Sequence, residues 1–286
     1  MSSQPSPTTS GIVNDAYGAW TYLHCRPAHL AEILDHIWVF DGAMTCLRER
    51  TFPNGLLEII VQLGDRHSVV GDRDTWICPA TCVTGLQLQH LVVEAPPSRS
   101  RVIGIRLRPA GAYAVLTRPM HEIVGLTVAL EDLVGPAAAE LGDACSEART
   151  LEGCAEAAIA WVERRLETGA RIVPTVAWII EQIRMQGGSV SIAGLRERTG
   201  WSKTRLSSTF VEQIGVSAKQ YARVVRFNRA LKMIHGGAAP LAEIAAETGY
   251  YDQPHLNAEF RELSGFTPTE FLNSHRYANS VSVAES

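Results

Sequence analysis

The sequence predicts an α+β protein, in which a β-rich N-terminal domain precedes an all-α domain with two helix-turn-helix units joined by a long helix. Three observations support this prediction. The length of 286 residues suits about two domains. Short segments of strand composition, separated by turn signals, fill residues 17–107. A pattern of helix, tight turn and helix then occurs twice within residues 189–277.

The predicted N-terminal strands are short and closely spaced. Turn signals such as Asp41-Gly42, Pro53-Asn54-Gly55 and Pro96-Pro97 separate them. The expected strand ranges are 35–40, 45–52, 56–63, 68–70, 88–93 and 101–107. Strands at this density indicate a small antiparallel barrel or sandwich.

Helical periodicity replaces the strand pattern after residue 107. We expect helices over 109–116, 130–140, 152–167 and 171–185, the last belonging to the C-terminal domain. The domain boundary is placed near Thr168 and Gly169. The expected divisions are a flexible arm (1–18), a β-rich effector or dimerisation domain with trailing helices (19–169), the double helix-turn-helix domain (170–278) and a disordered tail (279–286).

The repeated pattern covers residues 191–222 and 240–272, and its landmark residues match in order. Leu195, Gly200 and Trp201 correspond to Ile244, Gly249 and Tyr250, and the following Leu, Phe and Gly also recur, as Leu206, Phe210, Gly215 and Leu256, Phe260, Gly265. The second copy has one extra residue in the turn, around Tyr251, where an insertion is tolerated best. Each glycine allows the positive φ that ends a helix.

The second helix of each unit, expected at about 202–213 and 252–263, has a capping residue and an apolar stripe. Ser202 and Asp252 are the expected N-caps, and the Leu/Phe pair of each helix is expected to face inward. The outward positions are therefore polar or small: Thr204, Ser207, Ser208 and Val211 in the first helix, and Pro254, Asn257, Ala258 and Arg261 in the second, with Gln253 and His255 beside them. Short polar side chains in the N-terminal half of a helix suit the DNA major groove. Two ordinary helical hairpins are the alternative, which the matched glycines, caps and spacing disfavour.

This pattern resembles the AraC/XylS family of bacterial transcription regulators over about the last hundred residues. The most specific segments are 244–256, IAAETGYYDQPHL, and 260–268, FRELSGFTP. The resemblance implies that the two helices enter successive major-groove segments on one DNA face. By position, it assigns base reading to Thr204, Ser207, Ser208, Gln253, Pro254, His255, Asn257 and Ala258. Many family members have Arg where this chain has Ser208 and Ala258, so the affinity and target sequence are expected to differ.

The charge distribution suits one domain that binds DNA and one that does not. Residues 171–286 hold 13 Lys/Arg and 10 Asp/Glu, whereas residues 1–170 hold 13 and 20. A mildly basic domain predicts moderate, salt-dependent affinity. The expected phosphate contacts are Lys203, Arg205, Arg226 and Arg261. Arg229 and Lys232 are more typical of a solvated helix face.

The N-terminal half resembles, more weakly, an uncharacterised β-rich sensor-type domain that often precedes this DNA-binding module. The segments concerned are 51–60 and 102–112. The candidate effector-pocket residues are Trp38, Phe52, Asn54 and Arg106. Each has an alternative: Phe52 to Gly55 can form a hairpin turn, Arg106 can form a surface salt bridge, and Trp38 can be core. Homodimerisation through this domain is also expected from the family.

The rival hypothesis is an enzyme, or a thiol- or metal-dependent sensor, fused to a DNA-binding module. It would use Cys78 and Cys82, or the histidines His36, His67 and His90 brought together as in cupins. No paired zinc-type cysteine spacing, Ser-His-Asp spacing or phosphate loop supports it, so we expect no enzyme activity and no cofactor.

No signal peptide and no bilayer-spanning segment is visible, which predicts a cytoplasmic protein without a membrane partner. The expected partners are double-stranded promoter or operator DNA, a small-molecule effector and a second copy of the chain. RNA polymerase is a further candidate partner.

Overall fold

The N-terminal half forms two antiparallel sheets. The computed structural model describes residues 8–15, 18–45, 48–71, 73–237, 239–274 and 283–285. Its strands are β1 (Thr8–Asp15), β2 (Gly18–Cys25), β3 (Leu34–Met44), β4 (Arg48–Thr51), β5 (Leu57–Leu63), β6 (Ser68–Val70), β7 (Thr75–Ile77), β8 (Thr81–Thr84), β9 (Leu91–Glu94), β10 (Ser100–Leu107), β11 (Thr127–Ala129) and β12 (Val283–Glu285).

The two sheets are open and pack as a sandwich. The first has the order β1-β2-β3-β10-β5-β8-β11, and the second has the order β12-β4-β9-β6-β7. Ile60 and Cys82 of the first sheet share a buried cluster with Val69 and Leu91 of the second. The predicted β-rich domain is confirmed as a sandwich, and the alternative of a closed barrel is wrong.

Helices cover the other face of the first sheet. They are α1 (Pro109–Leu116), α2 (Leu130–Val134), α3 (Ala137–Glu147) and α4 (Leu151–Glu167). Alternate residues such as Ile37 and Val39 on β3 are fully buried beneath them. The single helix expected over 130–140 is instead two helices, because Gly135 adopts a φ of 61° and Pro136 follows it.

The C-terminal half is entirely helical over residues 174–273, apart from the connections. Its helices are α5 (Pro174–Met185), α6 (Ile192–Thr199), α7 (Lys203–Ile214), α8 (Ala218–His235), α9 (Leu241–Thr248), α10 (Gln253–Ser264) and α11 (Pro268–Asn273). The pair α6–α7 is the first helix-turn-helix unit, α9–α10 is the second, and α8 joins them. Helix α5 begins later than expected, since Pro174 disfavours helical backbone at the residue before it.

Two hydrophobic clusters hold the helical half in place. The first unit shares one continuous core with the N-terminal sheet and with α5, through residues such as Ile179, Leu206 and Phe210. The second unit has its own core around Phe227, Phe260 and Phe271. The predicted division at residues 168–169 follows the end of α4, but the buried core continues through it.

Both ends of the described chain contribute strands where the sequence suggested flexible segments. Residues 8–15 of the expected arm pair with β2 along their whole length. Residues 283–285 of the expected tail pair with β4. Each strand joins the edge of a sheet, where its backbone groups find partners. The rest of both segments lies outside the described residues. No helix in the described ranges is long and apolar enough to cross a membrane.

Candidate nucleic-acid interface

The first recognition helix, α7, presents its predicted base-reading residues to solvent. The Ser202 side chain accepts a hydrogen bond from the Arg205 backbone N–H and caps the helix. Leu206 and Phe210 are buried, so the opposite face of the helix points away from the core. The three predicted base readers are all exposed: Thr204, Ser207 and Ser208. The predicted helix and its orientation are therefore confirmed, while the base contacts themselves stay a prediction.

Two exposed cations lie in the first turn of α7. Lys203 and Arg205 are both exposed. The Arg205 guanidinium carbon lies 4.4 Å from the centre of the Trp201 ring, which restricts this long side chain at the edge of the helix. The phosphate contacts of Lys203 and Arg205 stay predictions.

The second recognition helix, α10, has the same architecture. The Asp252 carboxylate accepts from the His255 backbone N–H, and Pro254 occupies the first turn, where its missing N–H has no cost. Pro254, His255 and Ala258 are exposed, whereas Gln253 and Asn257 are half-buried. The second helix thus offers a narrower polar surface than the first.

The hydrogen bonding of His255 determines what its ring presents to solvent. The Tyr251 backbone N–H donates to Nδ1 of His255 at 3.3 Å, so Nδ1 carries no proton in this arrangement. A neutral ring then has its proton on Nε2. His255 would therefore offer a donor, which suits the acceptors O6 and N7 of guanine.

Asn257 is oriented inward at present. Its Oδ1 atom is buried and has no hydrogen-bond partner. A bidentate contact with adenine uses both ends of the amide, so Asn257 must rotate before it can make one. An unsatisfied buried oxygen favours such a rotation energetically.

Arg226, a predicted phosphate contact, forms an ion pair with a buried carboxylate. Its Nη2 atom lies 2.9 Å from Oε2 of Glu259, a residue only 6% exposed, and its guanidinium lies 4.7 Å from the Tyr250 ring centre. Although burial alone would lower it, the Glu259 carboxylate raises the pKa of Arg226. Arg223 also pairs with Glu259, at 2.8 Å. The charge of Arg226 is thus compensated within the protein.

Arg261 remains on the surface of α10. Its side chain is 60% exposed, and its partner Glu270, at 3.3 Å, is 53% exposed. An exposed pair of this kind contributes little to stability, so a phosphate can replace Glu270 at low cost.

Tyr251 is an exposed residue that the sequence analysis did not assign to DNA. It lies in the turn between α9 and α10 and is 92% exposed. A tyrosine hydroxyl donates readily to phosphate oxygens. The extra turn residue in the second repeat was the available signal, because an insertion there projects a side chain from the surface.

The four candidate effector-pocket residues do not lie together. Trp38 Nε1 and Arg106 Nε both donate to Oε1 of Glu58, at 2.6 and 2.7 Å. Phe52 is instead buried in the core of the second unit, and the Asn54 side chain accepts from the Leu56 backbone N–H. The hairpin alternative for this segment is wrong, since β4 and β5 belong to different sheets and residues 52–56 cross between them.

A cavity of about 470 Å³ lies between the two halves. Residues 87–91 and 124–125 line it from the N-terminal half, and Gln220, Arg223, Val224, Glu262 and Leu263 line it from α8 and α10. Both polar and apolar groups therefore face the space.

The residues of the rival hypothesis are dispersed or buried. Among the described residues, no group of three or more His, Cys, Asp or Glu side chains could hold a metal ion. His36 contacts Asp35 at 2.9 Å. Cys78 and Cys82 are both buried, and hydrogen bonding from the Cys82 thiol lowers the pKa of Cys78. Cys46 lies outside the described residues.

Family models match two segments of the chain. Residues 195–274 match a helix-turn-helix domain, and residues 25–129 match a domain of unknown function, DUF6597. The first match covers both units from Leu195 onward, and the second covers most of the sandwich.

Curated relatives align with the helical half. The uncharacterized HTH-type transcriptional regulator YbfI of Bacillus subtilis is 37% identical over 68 residues, which are 24% of this chain and 24% of that protein. The arabinose operon regulatory protein of Escherichia coli is 28% identical over 80 residues, 28% of this chain and 27% of that protein. The chain thus spans about a quarter of the length of these relatives.

Further similar chains occur among solved structures. ToxT from Vibrio cholerae O395 is 11% identical, with a TM-score of 0.44, covering 79% of this chain and 96% of that chain. The C-terminal domain of AraT, a response regulator from Geobacillus stearothermophilus, is 20% identical, with a TM-score of 0.35, covering 38% and 93%.

Proposed function

We propose, on the premise that the C-terminal segment is a helix-turn-helix domain of the AraC type, that this protein is a sequence-specific DNA-binding transcription regulator. One observation carries the proposal. Two helices with matching caps, α7 and α10, bury a Leu/Phe pair and leave their N-terminal halves exposed. This is the arrangement by which helix-turn-helix proteins read base edges.

The two helices are proposed to enter successive segments of the major groove. The first would read bases through Thr204, Ser207 and Ser208, with Lys203 and Arg205 on phosphates. The second would read them through Gln253, His255 and Asn257, aided by the small surfaces of Pro254 and Ala258, with Arg261 on phosphate. All of these side chains are exposed except those of Gln253 and Asn257, which are half-buried, and this exposure supports the assignment. The protein would act by binding rather than by catalysis, in the cytoplasm.

A competition binding experiment tests this function. Purified full-length protein is titrated onto promoter DNA from its own locus at moderate salt, with an equal excess of unrelated DNA as competitor. We expect specific binding to exceed non-specific binding by at least about 10³-fold. If unrelated DNA competed for the protein as effectively as the promoter DNA itself, the proposal would be contradicted.

We further propose that a small molecule modulates the protein. The cavity of about 470 Å³ supports this, because one ligand there would touch the N-terminal half and α10 at once. Trp38 and Arg106 do not line this cavity and remain predicted contacts for an effector bound elsewhere in the sandwich. Thermal-shift screening of small metabolites tests the idea, and a stabilising hit must change DNA affinity to support it.

Homodimerisation and contact with RNA polymerase are proposed as well. Pairing of two copies through the sandwich would place four recognition helices on one operator. Sedimentation at micromolar concentration is expected to detect a dimer, and a monomer at all concentrations would contradict it.

A further inference from the structure

One side chain of the N-terminal half forms part of the second unit's core. Phe52, which follows β4, is only 8% exposed and belongs to the same buried cluster as Phe227 and Phe260. Its ring centre lies 5.8 Å from that of Phe271 on α11 and 6.4 Å from that of Phe266. The second unit therefore completes its core with a residue from outside the helical half.

Arg50, two residues earlier, contacts the C-terminal end of the second recognition helix. Its Nη1 atom donates to the Ser264 backbone carbonyl at 3.3 Å, and its guanidinium carbon lies 4.4 Å from the Phe266 ring centre. A cation at a helix C-terminus interacts favourably with the helix dipole. Arg50 thus satisfies a carbonyl group at the end of α10.

A third contact connects the same segment to α8. The Asn228 side-chain amide donates to the Pro53 backbone carbonyl at 2.7 Å. Residues 50–53 accordingly touch the joining helix, the end of α10 and α11. The contacts with α10 lie at its C-terminal end, whereas the exposed Pro254, His255 and Ala258 lie in its first half, so the recognition surface stays open.

The glycines that end the two recognition helices reveal a parallel arrangement. A methyl group at Gly215, after α7, would meet Val124 and Met120 of the N-terminal half. A methyl group at Gly265, after α10, would meet the side chains of Arg50 and His90. Both recognition helices therefore rest by their C-terminal ends on the N-terminal half.

We propose that Phe52 and Arg50 are positioning residues for the second recognition helix. They fix α10 relative to the sandwich, while Met120 and Val124 fix α7, so the N-terminal half sets the placement of both helices on DNA. The inference rests on the proposed function for its effect on DNA. Since residues 54–56 lead from this segment into β5, which carries Glu58, changes in the sandwich would reach α10 by the same route.

Hydrogen exchange of the full-length protein tests the contact without DNA. The variants are Phe52→Ala, the conservative Phe52→Leu, and Arg50→Ala. Trp76→Ala is the control, because it removes an aromatic ring that is 45% exposed on β7. We expect Phe52→Ala to speed exchange in α10 and α11 by about a hundredfold, with little change in α6 and α7. Phe52→Leu and Arg50→Ala should have smaller effects at the same helices.

A DNA-binding measurement distinguishes a positioning role from a purely structural one. Each protein is titrated onto two versions of the operator. One has both major-groove segments intact, and in the other the sequence of the segment read by α10 is scrambled. Scrambling should weaken wild-type and Trp76→Ala binding by about tenfold or more, but Phe52→Ala binding by less than about twofold, with partial recovery in Phe52→Leu.

The outcomes separate the two proposals. Faster exchange confined to α10 and α11, together with loss of the scrambling effect, supports the positioning role. Exchange equal to that of Trp76→Ala, or a scrambling effect that survives in Phe52→Ala, overturns it. If Phe52→Ala does not fold, Phe52→Leu and Arg50→Ala decide by the same criteria. If wild-type protein does not discriminate between DNAs, the proposed function fails, and the exchange result still decides whether Phe52 positions α10.

Discussion

The ring of Phe52 lies 5.8 Å from the ring of Phe271, at an interplanar angle of 73°. One residue follows a strand of the N-terminal sandwich, and the other lies on α11, the helix that follows the second helix-turn-helix unit. The edge-to-face geometry is favourable for aromatic pairs. This contact joins the core of the second unit to the sandwich, and the proposed regulation through the N-terminal half would depend on it.

The first prediction separates cations that contact DNA from cations that stabilise the protein. Lys203→Ala and Arg205→Ala should weaken binding to all sequences, and each should reduce the slope of log K against log salt by about 0.9. Arg226→Ala should leave that slope unchanged, because Glu259 already compensates the Arg226 charge. Fluorescence anisotropy over a salt series measures all three.

Arg226→Ala should instead lower the free energy of unfolding. The loss should be smaller than the roughly 3–5 kcal/mol expected when a buried charge loses its only partner, because Arg223 still pairs with Glu259. If Arg226→Ala reduces the salt slope as much as Lys203→Ala does, Arg226 contacts phosphate and the pair with Glu259 opens on DNA.

The second prediction concerns Asn257. Asn257→Ala should relax base preference at one position of the second DNA segment by about 1–3 kcal/mol. It should not lower the free energy of unfolding, because it removes a buried oxygen that has no partner. Binding to a panel of single-base operator variants and urea unfolding provide the two measurements. A large loss of stability with unchanged base preference would make Asn257 a structural residue.

The third prediction compares two glycines with the same backbone conformation. Gly200 and Gly265 have φ values of 68° and 79°, so alanine at either should cost about 1–2 kcal/mol of stability. A methyl group at position 200 meets open space, whereas one at position 265 meets Arg50 and His90. Gly265→Ala should therefore be the more destabilising substitution in thermal unfolding. Equal effects would argue against a close contact between Gly265 and the sandwich.

The fourth prediction is a dependence of stability on alkaline pH. Burial raises the pKa of Tyr221 to about 12 from an ordinary value of 10.0. The contribution of neutral Tyr221 to the free energy of unfolding is complete below pH 10 and is lost as the pH rises through about 12. In this window the Tyr221 hydroxyl ionises in the unfolded protein but not in the folded one. The loss should approach about 1.4 kcal/mol per pH unit. Tyr221→Phe should flatten the dependence in urea unfolding at pH 9 to 12, and an unchanged slope in this variant would assign it to other groups.

Local signals in the sequence were sufficient to locate the helical half. The caps Ser202 and Asp252 and the closing glycines Gly200 and Gly249 determine where helices begin and end, and each acts within a few residues of its position. The confirmed AraC-type resemblance rests on the same short-range features. For this reason, the predicted and observed recognition helices differ by only one residue at each end.

Contacts between distant segments could not be predicted from such short-range sequence features. The composition of the segment after β4 fits a hairpin turn, and nothing local shows that Phe52 enters another core. Likewise, the family resemblance places Arg226 among the phosphate contacts, and nothing local shows that it also pairs with Glu259 on another helix. The break at Gly135 and Pro136 was readable from the sequence, yet the alanine-rich composition around it favoured one continuous helix.

The most direct test of the account is a hydroxyl-radical footprint of the wild-type protein on its operator. Two helices that read successive major-groove segments from one side should protect two patches on the same DNA face, about 10 base pairs apart. Substituting the exposed residues of α7 should abolish protection of one patch, and substituting those of α10 should abolish the other. A single patch that responds to both sets of substitutions, or protection without sequence preference, would contradict the account.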